Sequence, residues 1–69
     1  MALVEYEVKG RIAYITMNRP DAMNAFSIEL IEALGDALAD YRDDPSLLVA
    51  ILTGSGRAFS AGADLKEMT

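Results

Sequence analysis

Sixty-nine residues allow one small domain at most, and a chain of that length buries only about 60% of its unfolded surface. It has no cysteine and no histidine, which excludes disulfide staples, thiolate metal sites and imidazole base catalysis. Eleven acidic against six basic residues, a net charge of −5, argue against non-specific binding to nucleic acid or to anionic membranes, and neither partner is expected. Yet 52% of the residues are hydrophobic, an excess for so small a body. Part of the surface is therefore expected to be covered by further protein, so residues 1–69 read as an incomplete piece of one larger domain. The start lacks the basic region and apolar core of a signal peptide. No apolar run nears the roughly 18 residues that span a bilayer, so a cytoplasmic location is the default.

Residues 4–8 alternate Val4, Tyr6 and Val8 with Glu5 and Glu7, the period of a half-buried strand. Lys9 and Gly10 turn the chain. Residues 12–17 carry Ile12, Tyr14, Ile15 and Thr16 and predict a second strand, antiparallel to the first across a hairpin. Residues 18–26, with Asn18, Pro20 and Asn24, form a loop. It is longer than the about two to six residues usual between strand and helix, which suits either binding or a detour to the helix start.

Ser27 is placed to cap a helix, and Glu29 suits its positive end. Leu30, Ile31, Leu34, Leu38 and Tyr41, with Ala33 and Ala37, recur at helical spacing and predict a helix over 28–42 packed on that face. Glu29, Glu32, Asp36, Asp40 and Asp43 lie on the other side. They read as a solvated face rather than as paired carboxylates for acid–base work or metal binding. Gly35 costs about 1 kcal/mol in mid-helix relative to alanine and is expected to admit a close backbone crossing. Asp44 and Pro45 end the helix. Residues 48–53 are apolar without alternation, as in a strand buried on both faces of a parallel sheet. Strand, helix and strand then form a crossover unit, right-handed by rule. Three strands and one helix cannot cover a sheet on both sides, which again points to a larger domain.

A turn over 54–57 leads into residues 58–68, where Ser60, Ala61, Gly62 and Ala63 are all small. Such a segment lets a ligand approach the main chain, and Gly62 can take backbone angles closed to other residues. Asp64 is placed to cap a helix that starts there and runs toward Thr69. Free N–H groups at such a start can receive an anion or a polarised oxygen. Met17, Met23 and Met68 read as packing residues. Ser60 has no histidine to activate it. Gly54 and Gly56 match neither a dinucleotide fingerprint nor a phosphate loop, because the later glycines are missing, and a tight turn is the better reading. If the strands over 12–17 and 48–53 are parallel neighbours, the loops over 18–26 and 58–66 meet at their carboxyl ends, where open α/β sheets bind ligands.

Two segments carry a resemblance. Asn-Arg-Pro-Asp-Ala-Met-Asn-Ala-Phe-Ser over 18–27, and Ile-Leu-Thr-Gly-Ser-Gly-Arg-Ala-Phe-Ser-Ala-Gly-Ala-Asp-Leu-Lys-Glu-Met over 51–68, closely resemble the amino-terminal third of the crotonase (enoyl-CoA hydratase/isomerase) superfamily. The resemblance implies an α/β fold, a spiral of strand–strand–helix repeats. This chain supplies its first hairpin, its helix, the following strand and an oxyanion turn. It also implies an acyl-CoA thioester substrate and assembly as a homotrimer or hexamer. No metal and no cofactor is implied, coenzyme A being part of the substrate. The implied device is an oxyanion hole of two backbone N–H groups, the first from Ala63. Ala61, Gly62, Asp64, Leu65 and Lys66 match positions lining the CoA and thioester site. Ala22 and Met23 match the loop that contacts the CoA adenine and ribose. Lys66 is placed either near a CoA phosphate or in solvent. Asp21 departs from the basic residue some members carry. Arg19 is typical of the motif and reads as structural, as does Asp64 behind Ala63.

The second oxyanion donor, a glycine, and the acid–base glutamates of the family fall beyond residue 69. The leading expectation is part of an enoyl-CoA hydratase of the fatty-acid oxidation type. Alternatives are an enoyl-CoA isomerase, an acyl-CoA hydrolase or a non-catalytic acyl-CoA-binding protein of the same fold. The 69 residues alone are expected to be inactive and poorly soluble.

Overall fold

Alternation in the first strand and β-branching in the second produce a hairpin. In a computed structural model, which describes residues 2–67, β1 (Val4–Lys9) pairs antiparallel with β2 (Ile12–Met17). Val4 stands opposite Met17 and Lys9 opposite Ile12, with Gly10 at φ 62° closing the turn. Only a residue tolerant of the left-handed region fits that tight reversal. A helix, α1 (Ile28–Asp43), follows, and then β3 (Val49–Gly54), which pairs parallel with β2. The sheet order is β1-β2-β3, so β2 is central.

Centrality explains the core. Ala13, Ile15 and Met17 alternate along one face of β2 and are wholly buried. Leu30 and Ala37 of α1 close over that side, joined by Leu47. The Ser27 hydroxyl accepts a hydrogen bond from the Leu30 N–H at 3.1 Å, which caps the helix as the sequence predicts. The helix runs one residue beyond expectation, to Asp43, and ends where Asp44 leaves helical geometry before Pro45. No helix among the described residues is long and apolar enough to cross a membrane.

Several expectations fail, and one cause accounts for most of them. Helix α1 packs on β1 and β2 rather than on β3. Its inward stripe is Leu30, Leu34, Ala37 and Tyr41, at spacings of four, three and four. Ile31 and Leu38, expected to face the core, lie on the neighbouring stripe and are 54% and 43% exposed. Gly35 shares that outer stripe. A Cβ there would meet nothing within 4 Å, so no backbone crosses it among the described residues. Strand β3, expected to be buried on both faces, exposes Val49, Ile51 and Leu52 because no layer covers it among the described residues. Met17 packs in the core as expected, but Met23 is 43% exposed. After Asp64 the chain makes a turn over residues 65–67 instead of an established helix. The expected continuation to Thr69, and the packing role of Met68, lie outside the described residues.

Candidate functional site

Because β2 and β3 run parallel, the loops that follow them leave the same edge of the sheet. The first loop opens with Arg19 and a 3-10 turn, Pro20–Ala22, and then places Met23 and Asn24 at φ 53° and 54°. Asparagine visits this region readily, whereas methionine does so rarely. The payoff is the position of the Asn24 side chain, which is fully buried. Its Oδ1 accepts from the Arg19 N–H at 2.8 Å. Its Nδ2 donates to the carbonyls of Ser55 and Ala58, both at 2.9 Å. One amide thus satisfies groups from both loops. Gly54 makes room for it, since an added Cβ would come within 2.7 Å of Asn24 Nδ2 and of the Ala58 carbonyl. Gly56, at φ 83°, lies against Pro20. The two glycines are therefore packing requirements of the loop junction as well as turn residues.

The second loop is laid along the first by main-chain bonds. Ala61 N–H donates to the Met23 carbonyl at 2.9 Å, Phe26 N–H to the Gly62 carbonyl at 2.7 Å, and Asp64 N–H to the Phe26 carbonyl at 3.1 Å. Phe26 and Ala63 thereby form a single parallel bridge. In that pattern Phe26 bonds to the residues on either side of Ala63, so the N–H and C=O of Ala63 itself face away from Phe26. Gly62, at φ 94°, sets up this direction. Among the described residues the Ala63 N–H has no hydrogen-bond partner, and Ala63 is exposed.

Charge fixes the turn behind Ala63. Arg19 Nη1 donates to Asp64 Oδ2 at 2.8 Å and to the Ala25 carbonyl at 3.0 Å. The Asp64 side chain is 11% exposed. Its carboxyl is held below the ordinary carboxylate range, first by the Arg19 hydrogen bond, while partial burial pushes the other way and the Lys66 and Glu67 N–H groups help to hold it down. Asp64 Oδ1 caps the turn by accepting from Lys66 N–H at 3.0 Å. Glu67 Oε1 accepts from the Ile28 N–H at 2.9 Å and ties the same turn to the start of α1.

Two clefts flank this turn. One, of about 420 Å³, is lined by Ala22, Ala61, Ala63, Asp64, Leu65 and Lys66, together with Arg19, Asp21 and Ala25. The other, of about 600 Å³, is lined by Phe26, Ile28, Ile31, Ala63, Asp64 and Glu67 and is largely apolar. Ala63 stands on the wall between them. Six of the eight residues singled out from the sequence thus line one cleft. Met23 and Gly62 do not; their carbonyls instead receive the bonds that align the loops. The arrangement offers a main-chain donor, unpaired among the described residues, between a cleft that carries charged side chains and a largely apolar one, which suits a polarised oxygen carrying an apolar substituent.

Sequence reasoning treated Asn24 as a loop marker and Ser60 as a small residue with an unactivated hydroxyl. It missed both as connectors, and it missed the Arg19–Asp64 pair and the Glu67 tie. A polar residue flanked by Met23 and Ala25 was a usable signal for Asn24, since a buried amide needs partners. Nothing local signalled the other contacts, whose partners are distant in the chain.

The family model described as Enoyl-CoA hydratase/isomerase matches residues 7–69. A probable mitochondrial enoyl-CoA hydratase of Dictyostelium discoideum is 45% identical over 62 residues, covering 90% of this chain and 22% of that protein. The (E)-benzylidenesuccinyl-CoA hydratase of Thauera aromatica is 43% identical over 65 residues, covering 93% of this chain and 25% of that protein. Among solved structures, an enoyl-CoA hydratase from Mycobacterium marinum superposes with a TM-score of 0.91 at 48% identity, over 97% of this chain and 32% of that one. An enoyl-CoA hydratase/isomerase from Mycobacterium paratuberculosis gives 0.94 at 44% identity, over 99% and 26%. The chain spans about a quarter of the length of the curated relatives it matches. Hairpin, loop pair and bridged turn together place it in the crotonase fold, and the chain belongs to the enoyl-CoA hydratase/isomerase family.

Proposed function

We propose that these residues form one side of the active site of an acyl-CoA-processing enzyme, an enoyl-CoA hydratase in the first instance, with Ala63 N–H as one donor of its oxyanion hole. The observation that carries the reading is the Phe26–Ala63 bridge, which leaves the Ala63 N–H without a partner among the described residues at the wall between two clefts. A thioester carbonyl placed there gains a hydrogen bond that strengthens as its oxygen takes on negative charge, so the donor favours the enolate-like state over the ground state. The cleft lined by Ala22 and Lys66 takes the CoA portion, and the apolar cleft beside Ile28 and Ile31 takes the acyl portion. The two relatives named above as hydratases of CoA thioesters support this class of substrate.

The same reading assigns the acid–base residues and the second donor to sequence beyond residue 69, needs no metal or separate cofactor, and places a trimeric or hexameric protein in the cytoplasm. It also makes residues 1–69 inactive by themselves. The test is hydration of crotonyl-CoA, followed by loss of the absorbance of its conjugated double bond, in a protein carrying this segment at the length of its relatives. Ala63→Pro removes the donor and is expected to lower kcat by about 100- to 1,000-fold, while Ala63→Ser retains most activity. Near-normal turnover by the proline variant would sink the assignment. CoA binding without hydration or isomerisation in the unaltered protein would replace the enzyme with a binding protein of the same fold.

A further inference from the structure

We infer that Ser60 is a positioning residue for the Ala63 N–H, an assignment that rests on the oxyanion reading above. The Ser60 hydroxyl stands in a chain of two hydrogen bonds. Its Oγ donates to the Asn24 carbonyl at 2.8 Å and accepts from the Gly62 N–H at 3.1 Å. A serine oxygen that accepts from the N–H two residues on closes a local turn. Here the turn brackets Gly62, the residue at φ 94° whose conformation directs the next peptide.

That next peptide is the donor itself. The Gly62 carbonyl and the Ala63 N–H belong to one planar trans unit and point in opposite directions. Phe26 N–H holds the carbonyl end at 2.7 Å, and Ser60 holds the Gly62 N–H on the other side of the same α-carbon. Both dihedrals of Gly62, the residue that aims the donor, are thus held. A hydrogen bond on the carbonyl of an amide also polarises its N–H, which makes Ala63 a stronger donor.

The anchor is rigid. Asn24, whose carbonyl receives the Ser60 proton, is fully buried, and its side chain makes three hydrogen bonds to Arg19, Ser55 and Ala58. Because the hydroxyl proton is committed to that carbonyl, an oxygen lone pair is left for Gly62 N–H. Ser60 needs no histidine for this work. Without its hydroxyl, Gly62 loses the bond on its N–H and, having no Cβ, gains conformational freedom more readily than any other residue.

The test uses a protein carrying this segment at the length of its relatives, with crotonyl-CoA as substrate and the Gly62 and Ala63 amide resonances as a second readout. Ser60→Ala is expected to lower kcat by up to about tenfold with KM little changed, and to shift both amide resonances. Ser60→Thr, which keeps a hydroxyl, is expected to restore most of both. Unchanged kcat and unchanged resonances in Ser60→Ala overturn the inference. So do equal losses in the alanine and threonine variants, since they point to side-chain volume. An unaltered protein that hydrates nothing removes the proposed function instead, and the amide resonances of Ser60→Ala then decide the linkage between Ser60 and Ala63 by themselves.

Discussion

Arg19 and Asp64, 45 positions apart in the chain, meet in an ion pair of 2.8 Å that joins the loop after β2 to the loop after β3. Arg19 is 26% exposed at its side chain and Asp64 11%. The same guanidinium nitrogen, Nη1, also donates to the Ala25 carbonyl, so one group ties Asp64 to the first loop and braces that loop internally. The pair sits directly behind Ala63 and fixes where that residue's turn begins.

A pH dependence follows from the lowered Asp64 carboxyl. A group that is a stronger acid when folded adds stability above its unfolded pKa, about 3.9, and loses it as pH falls through the lower folded value. Folding stability should therefore decline in acid, below about pH 4. In Asp64→Asn that part of the decline should be absent, with lower stability at neutral pH. Urea midpoints across pH 2–7, a range chosen to bracket that value, check this. Parallel acid limbs for the two proteins would rule out Asp64 as the source.

Asn24 tests whether the loops are joined by a buried amide. Asn24→Ala leaves the Arg19 N–H and the Ser55 and Ala58 carbonyls without their partner. Each of these part-buried groups costs up to about 1–3 kcal/mol when orphaned, so a loss of about 2–3 kcal/mol or more is expected from urea denaturation. Asn24→Asp keeps the shape and the acceptor for Arg19 but turns an oxygen toward two carbonyls. It should be destabilised nearly as much at neutral pH and recover partly in acid. An aspartate variant as stable as the parent at pH 7 would show that the Nδ2 bonds contribute nothing.

Gly54 and Gly62 should fail for different reasons. A methyl at Gly54 meets the Ala58 carbonyl and the Asn24 amide, so Gly54→Ala forces backbone apart at an expected cost of about 1–3 kcal/mol. A methyl at Gly62 meets nothing within 4 Å, but the residue sits at φ 94°. Gly62→Ala should cost about 1–2 kcal/mol of conformational strain. Thermal unfolding gives the sizes, and replacement by D-alanine through chemical synthesis separates the causes. The D-residue accepts positive φ, so D-alanine at 62 should recover the stability that L-alanine loses there. Equal losses for L- and D-alanine at 62 would contradict the conformational account of Gly62.

Much of the fold could be read from short-range pattern. Period two marked β1, a capped run at helical spacing marked α1, and a run of apolar residues marked β3 to within one residue. That the loops holding Ala22 and Lys66 leave the sheet side by side followed from the expectation that β2 and β3 are parallel neighbours, which the register of Ile12 with Val49 bears out. The side-chain links were a different matter. Asn24 reaches carbonyls 31 and 34 residues away, and the residues around it gave no sign of which partners it would find.

By itself the sequence determined which segments of residues 4–54 are strand, helix and loop, where the helix is capped, and which family the two motifs belong to. Those properties rest on spacing of a few residues and on the conformational preferences of single residues, so they are written locally. The tertiary structure alone decided that α1 covers β1 and β2 but not β3, which turned Ile31 and Leu38 outward. It alone brought Arg19 to Asp64, and Ser60 between Asn24 and Gly62. Those contacts depend on the parallel alignment of two strands separated by a helix. Only that alignment lays the two loops side by side with the Ala63 N–H facing outward.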